Sequence, residues 1–297
     1  MLPNFSMRAH TSRRDLVRWA ACVSFLCITS SQLHAADKPK VDGTKPLVMV
    51  VMDPLAAPLA CDCVKGYANR QYQRLAEALE AKLQTKITVF WSESLVEWQK
   101  KEPTLAPDLV IGKYSVVASH AKKLDLLLKP FASLTDTEGN VTQRGLFVVR
   151  ADSDVASLID LDNATLFFGP DDCAEKWSSP RSLLDNLGIV VASDSKTFQS
   201  CSEAAKALLA LPEDKNASAV ISSYAAPLLE GCGTIKKGDL RVVGQTDDLP
   251  FVTAFVNESI ASEIQEKIQK SLFELQDTDL LKVLESSKGF QAYQSEI

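Results

Sequence analysis

The chain has 297 residues, a formal net charge of −6 and 46% hydrophobic residues. An acidic chain without basic clusters argues against nucleic acid or an anionic membrane surface as partner. Its length suits one large domain or two lobes of about 120 residues each. Only His120 lies beyond the first thirty-five residues, so composition disfavours histidine-based acid/base chemistry and zinc-hydrolase sites.

Residues 1–35 read as an export signal. Arg13 and Arg14 precede the apolar stretch Trp19–Ile28, and Leu33-His34-Ala35-Ala36 offers a small-residue cleavage site. The stretch is far shorter than the roughly 20 residues that span a bilayer, so stable membrane insertion is not expected. The arginine pair resembles a twin-arginine signal, with Leu16 and Val17 where that motif prefers Phe and Leu. The general export route stays open. Removing the leader would take Arg8, Arg13, Arg14 and Arg18 with only Asp15, leaving the remainder more acidic.

Lys45–Met52 is too continuously apolar for a half-exposed strand and reads as the buried first strand of a parallel sheet. The loop Asp53–Gly66 follows, carrying Cys61-Asp62-Cys63. Tyr67–Leu83 has helical spacing at Leu75, Ala76, Leu79 and Leu83. Lys86–Trp91 is the next strand, Ser92–Trp98 a helical turn, and Asp108–Ile111 a third strand leading into Gly112-Lys113-Tyr114-Ser115 and a helix to about Lys123. Alternation at these lengths means βαβ units with right-handed crossovers.

Leu146–Arg150 reads as a strand, Val155–Leu161 as a short helix or turn, and Ala164–Phe168 as a strand that ends in Gly169–Pro180. A polar loop between a strand and a helix is where an open α/β lobe places a ligand. The helices Arg181–Leu187 and Ser202–Leu211 follow, then the strand Ala217–Ile221 with Ser222-Ser223-Tyr224 at its end, and the strand Leu240–Gly244. Phe251–Val256 is strand-like, and Ile260–Leu275 and Thr278–Glu285 are helical.

Five cysteines lie beyond the leader: Cys61, Cys63, Cys173, Cys201 and Cys232. An oxidising compartment permits disulfides, but an odd number leaves at least one thiol over. Cys201–Cys232 is a plausible pairing within the second half, worth about 3–4 kcal/mol if unstrained, while Cys61–Cys63 would be short and strained and Cys61–Cys173 or Cys63–Cys173 would tie the two lobes together. The sharper reading is a soft-metal site for copper or zinc from Cys61, Cys63 and Cys173. The spacing of Cys61 and Cys63 is a weak metal motif, and a fourth ligand is not evident. Lys65 and Tyr67 could counter an anion, and Tyr114 with Ser115, and Ser222, Ser223 and Tyr224, end strands where pocket residues stand. Each is equally readable as capping or packing. Trp177 sits in the second loop, and His120 reads as a surface helix residue.

In their order, Val50–Pro58, Asp108–Ser115, Leu146–Leu161 and Leu240–Val256 resemble the phosphate/phosphite/phosphonate periplasmic substrate-binding proteins of ABC transporters. The resemblance implies a type II periplasmic-binding-protein fold, α/β, with two mixed or parallel sheets flanked by helices and a double-crossing hinge. It places the first lobe at residues 36–145 plus 250–297 and the second at 146–249. It implies a monomeric, exported protein that needs no cofactor, has no chemistry of its own, and presents a captured small-molecule ligand to an ABC permease or membrane sensor. In the family a cluster of hydroxyls after the core strand holds phosphonate oxygens. Here those positions fall on Asp172, Cys173 and Ala174. An anionic or phosphonate-like ligand is the expectation from the family, opposed by the charge of Asp172. The alternatives are a thiol-rich soft-metal binding or delivery protein on the same scaffold, and an enzyme with Cys173 as nucleophile.

Overall fold

The computed structural model describes residues 45–60 and 68–295. Strand β1 (Leu47–Met52) is buried at every position and leads through α1 (Tyr72–Leu83) to β2 (Ile87–Trp91). Helix α1 buries Tyr72, Leu75, Ala76 and Leu79 on one stripe, which pins the crossover to the sheet. Helix α2 (Leu95–Lys101) starts under Ser94, whose hydroxyl accepts the Glu97 N–H, and returns the chain to β3 (Leu109–Lys113). β3 passes without a loop into α3 (Tyr114–Lys123), so its last side chain sits at a helix N-terminus. β4 (Leu128–Leu134) follows.

The chain then crosses between sheets through β5 (Thr142–Gln143) and enters the second sheet as β6 (Gly145–Arg150). β7 (Thr165–Phe168) ends in the loop at Gly169, and α4 (Ser178–Asn186) starts three residues ahead of the expected helix. Pro180 lies in its first turn, where a missing N–H costs nothing. The short β8 (Lys196–Thr197), α5 (Cys201–Leu209), β9 (Ala217–Ser222), α6 (Ala225–Gly231) and β10 (Leu240–Gln245) complete this half. The return passes through β11 (Leu249–Pro250) to β12 (Val252–Asn257), α7 (Ser262–Phe273), α8 (Thr278–Val283) and β13 (Phe290–Ala292).

Two mixed sheets result, in the orders β13-β4-β12-β3-β1-β2 and β10-β6-β9-β7-β8. β1 runs parallel to β2 and β3, whereas β12 is antiparallel to both β3 and β4. Each sheet is covered on both faces: the first by the clusters around Leu75 and around Trp98, the second by those around Ala205 and around Phe168. Between the sheets, β5 and β11 form a two-stranded antiparallel ribbon. Arg144 grips Asp248 through both Nε (2.6 Å) and Nη2 (2.9 Å), and the Thr142 hydroxyl donates to the same carboxylate at 3.2 Å. The chain thus crosses twice at one narrow place, leaving the strand ends of the two sheets facing each other.

Candidate functional site

A cavity of about 490 Å³ lies where those ends meet. The first lobe contributes Met52, Pro54 and Leu55 after β1, Lys113 at the end of β3, and Val116 and His120 on α3. The second contributes Pro170, Asp172, Cys173 and Lys176 after β7, Ser200–Ser202 at the start of α5, and Tyr224 and Leu228 after β9. Both lobes thus bring apolar side chains and charges to the cavity, and the second adds a helix N-terminus.

The first loop is anchored from beneath. Asp53, wholly buried, accepts the Leu55 N–H at 2.9 Å, the Arg70 guanidinium at 3.0 Å and the Tyr72 hydroxyl at 2.5 Å. Burial works against the Arg70 charge, yet Asp53 holds the pKa above the ordinary arginine value. A buried guanidinium with its carboxylate in place is a rigid post, and the turn carrying Pro54 and Leu55 stands on it.

At the back of the cleft, Lys113 (4% exposed) forms an ion pair with the fully buried Glu175. Glu175 lies in the 3-10 helical turn Ala174–Lys176, and its Oε1 also accepts the Ser222 hydroxyl at 2.6 Å. Its Oε2 has no hydrogen-bond partner among the described residues. Burial opposes both charges of the pair; Lys113 and Lys176 nonetheless hold the Glu175 carboxyl below its usual range, and Glu175 holds the Lys113 ammonium above its own. Lys176 is buried too and lines the cavity, with no carboxylate of the described residues within ion-pairing distance. Glycines fix this turn: a Cβ on Gly145 would meet the Glu175 carbonyl oxygen at 1.9 Å, and one on Gly169 would meet Lys176 Cβ at 2.6 Å.

Two more contacts cross between the lobes. His120 Nδ1 accepts the Leu95 N–H at 3.3 Å, which leaves the proton on Nε2, and Nε2 donates to Asp172 Oδ2 at 2.9 Å. That hydrogen bond lowers the Asp172 pKa, with burial working against it. The Ala174 N–H donates to Ser115 Oγ at 3.2 Å.

Among the residues singled out by sequence, Asp172, Cys173 and Tyr224 line the cavity, Ser115 touches the facing lobe, and Ser222 stands behind Glu175. Tyr114 instead stacks between Phe255 and Tyr293, at 5.7 and 5.4 Å. Ser223 accepts the Arg144 N–H at the crossing. Lys65, Tyr67, Cys61 and Cys63 lie outside the described residues. The surface reading of His120 is corrected: it is 5% exposed, on the inward stripe with Val117 and Ala121. Trp177 packs on Phe168 and under the Arg181 guanidinium. The expected Cys201–Cys232 bridge is absent, and Cys173, Cys201 and Cys232 are thiols. Cys201 opens α5 beside Ser222, whereas Cys232 turns to Thr234 at 3.1 Å. Among the described residues no group of three or more His, Cys, Asp or Glu side chains is placed to hold a metal. The cysteine-based metal site falls partly outside those residues.

Sequence reasoning passed over Lys113, Glu175 and Lys176. A signal was there, since Lys113 is the one charge ending a run of Leu109-Val110-Ile111-Gly112, and Glu175-Lys176 are opposite charges inside an otherwise uncharged stretch from Cys173 to Pro180.

Two α/β lobes joined by paired crossing strands, with a cavity between their strand ends, define a type II substrate-binding protein. The chain matches, over residues 67–296, the family model described as ABC transporter, phosphonate, periplasmic substrate-binding protein, and it belongs to that family. Such proteins are not enzymes; they bind small ligands and deliver them to membrane permeases. No helix of the described residues is long and apolar enough to cross a membrane. Among solved structures, XAC2383 from Xanthomonas citri bound to ATP is similar with a TM-score of 0.63 at 15% identity, covering 85% of this chain and 92% of that one. A binding protein component of an ABC phosphonate transporter from Pseudomonas aeruginosa gives 0.62 at 13% identity, over 84% and 82%. PhnD1 from Prochlorococcus marinus in complex with methylphosphonate gives 0.58 at 14% identity, over 85% and 94%. These likenesses show the fold. No curated protein sequence matches the chain.

Proposed function

We propose that the protein is exported to the periplasm and captures a small organic solute bearing one anionic group, which it presents to an ABC permease or membrane sensor. The observation that carries this reading is Lys176: a buried ammonium, unpaired among the described residues, in the wall of an interlobe cavity. The anionic head would sit between Lys176 and the first turn of α5, whose N–H groups and helix dipole favour negative charge. Met52, Leu55, Val116 and Leu228 offer an apolar seat for the body of the solute. A cavity of about 490 Å³ suits an organic molecule of that shape. Asp172, Cys173, Ser115, Ser222 and Tyr224 shape the cleft in this reading, and the β5–β11 ribbon serves as hinge. The protein acts as a monomer, and residues 1–35 serve as the export signal.

The test is a panel of small carboxylates, sulfonates, phosphonates and phosphonate monoesters, read by melting temperature and solution scattering. A solute at a hundred times its Kd stabilises by about 2.7 kcal/mol, or roughly 5–10 °C for a chain of this size. Lys176→Met should abolish the response. A panel with no stabilising member and no compaction would overturn the proposal.

A further inference from the structure

We propose that Glu175 sets the charge of the solute this cleft accepts: its carboxylate takes the place beside Lys113 that the second negative charge of a ligand would need. By the charges of the described residues, the cleft is thereby restricted to solutes with a single negative charge. The inference rests on the cleft being the solute site, as proposed above.

The charges around the cavity make the case. Two lysines reach it, Lys113 and Lys176. Facing them are Asp172 and Glu93 in the walls and Glu175 immediately behind Lys113. His120 is turned away from a ligand: its Nδ1 accepts the Leu95 N–H and its Nε2 donates to Asp172. Lys113 is matched by Glu175, and Asp172 keeps its own negative charge. Glu93 adds a further negative charge, so among the described residues that line the cavity Lys176 is the one unpaired cation.

A dianion has two ways in, and both are unfavourable. It can take Lys113 from Glu175, which strands a fully buried carboxylate that already has one oxygen unpartnered and would retain only the Ser222 hydroxyl. Otherwise it can leave the pair intact and bring its second charge, desolvated, against Glu175 and Asp172. Like charges brought together in a desolvated interface weaken binding by roughly a hundredfold or more. Nor can the turn shift aside as a whole. Its backbone is held in place, with the Glu175 carbonyl against Gly145 and the Lys176 side chain against Gly169, each with no room for a Cβ. An unpartnered buried oxygen calls for a reason, and here the reason is charge compensation of Lys113.

A purely structural ion pair would affect every solute alike, whereas a charge limit affects dianions alone. The experiment is therefore calorimetric titration of wild type and Glu175→Gln with two probes of one shape: phenyl phosphate at about pH 8, roughly two units above its second pKa of about 6 and so dianionic, and its monomethyl ester, which stays monoanionic. Wild type should prefer the ester by roughly a hundredfold. In E175Q, where Lys113 is released, that preference should shrink by roughly tenfold or more, and Lys113→Met added to E175Q should remove the gain. Should E175Q fail to fold, Glu175→Asp, which draws the charge one methylene back from Lys113, should move the ratio in the same direction. Both probes binding with the same ratio in wild type and variant would overturn the inference and leave the solute site standing. Neither probe binding either protein would overturn the solute-site reading, and this inference with it.

Discussion

Neutralising one member of the Lys113–Glu175 pair should cost far more than neutralising both. Lys113 is 4% exposed and Glu175 not at all, so each single change strands a desolvated charge. Breaking a buried pair in this way costs roughly 3–5 kcal/mol, while replacing both partners by neutral groups of similar size is often close to neutral. Lys113→Met belongs at the lower end, because Glu175 keeps the Ser222 hydroxyl at 2.6 Å and the nearby positive charge of Lys176. Glu175→Gln belongs at the upper end, since Lys113 has no second carboxylate within ion-pairing distance among the described residues. At about 2–4 °C per kcal/mol for a chain of this length, K113M should lower Tm by roughly 6–12 °C and E175Q by somewhat more. The two residues belong to opposite lobes, which adds a second readout: separating the lobes returns the stranded charge to water. The single variants should therefore scatter as more open molecules before they melt. The double variant should recover most of the Tm and the compact profile. Simply additive losses in the double variant, with both singles as compact as wild type, would refute the pairing argument.

Acid should open the cleft. Asp172, through its hydrogen bond from His120, and Glu175, through Lys113 and Lys176, both have pKa values lowered in the folded protein, so their contribution is complete at neutral pH and is lost as pH falls through those lowered values on the acid side. Scattering from pH 7 downward should show a compact form until that point, and D172N/E175Q should show no such transition. Gly145→Ala should push the Glu175 turn out of place, because the new Cβ would lie 1.9 Å from its carbonyl oxygen. Strain of that kind costs on the order of 1–3 kcal/mol, and a melting curve indistinguishable from wild type would refute it. Of Cys173, Cys201 and Cys232, only the half-buried Cys232 should react with a thiol reagent in the closed protein, as peptide mapping would show. Prompt native labelling of Cys173 would mean that the cleft stands open.

The fold was legible wherever a strand is buried on both faces. β1 is an unbroken apolar run, β3, β7 and β9 are short runs dominated by apolar residues, and α1 shows its inward stripe in the spacing of Leu75, Ala76 and Leu79. β4 was not legible, because it opens Leu-Lys-Pro and only its second half, from Phe131, is buried. β13, at three residues, and the ribbon strands, at two each, are too short to show any period. The cavity positions of Asp172, Cys173 and Tyr224 followed from their place just beyond strands. The Lys113–Glu175 contact could not be read that way. It joins residues 62 apart in two lobes, and nothing local in either stretch encodes its partner. His120 misled for a related reason: its helical neighbours Val117 and Ala121 mark an inward face, but the carboxylate that makes burial tolerable lies across the cleft.

The similar structures include one protein bound to ATP and another in complex with methylphosphonate, so this scaffold does not by itself choose a ligand. The choice must come from the loops at the strand ends, above all the loop after β7. There the chain carries Asp172-Cys173-Ala174-Glu175-Lys176, and the turn places a carboxylate and an ammonium in one buried corner. Glu175 is spent on the facing lobe, and Lys176 is left toward the cavity. In the proposed reading, closure and recognition draw on adjacent residues of one turn, which ties them physically. An anion bound at Lys176 also draws on the field that holds Glu175 ionised. On the same reading, a solute that competes for that field would weaken the contact between the lobes, so the solutes expected to close the cleft best are those whose charge Lys176, the one unpaired lysine in the cavity wall among the described residues, can balance.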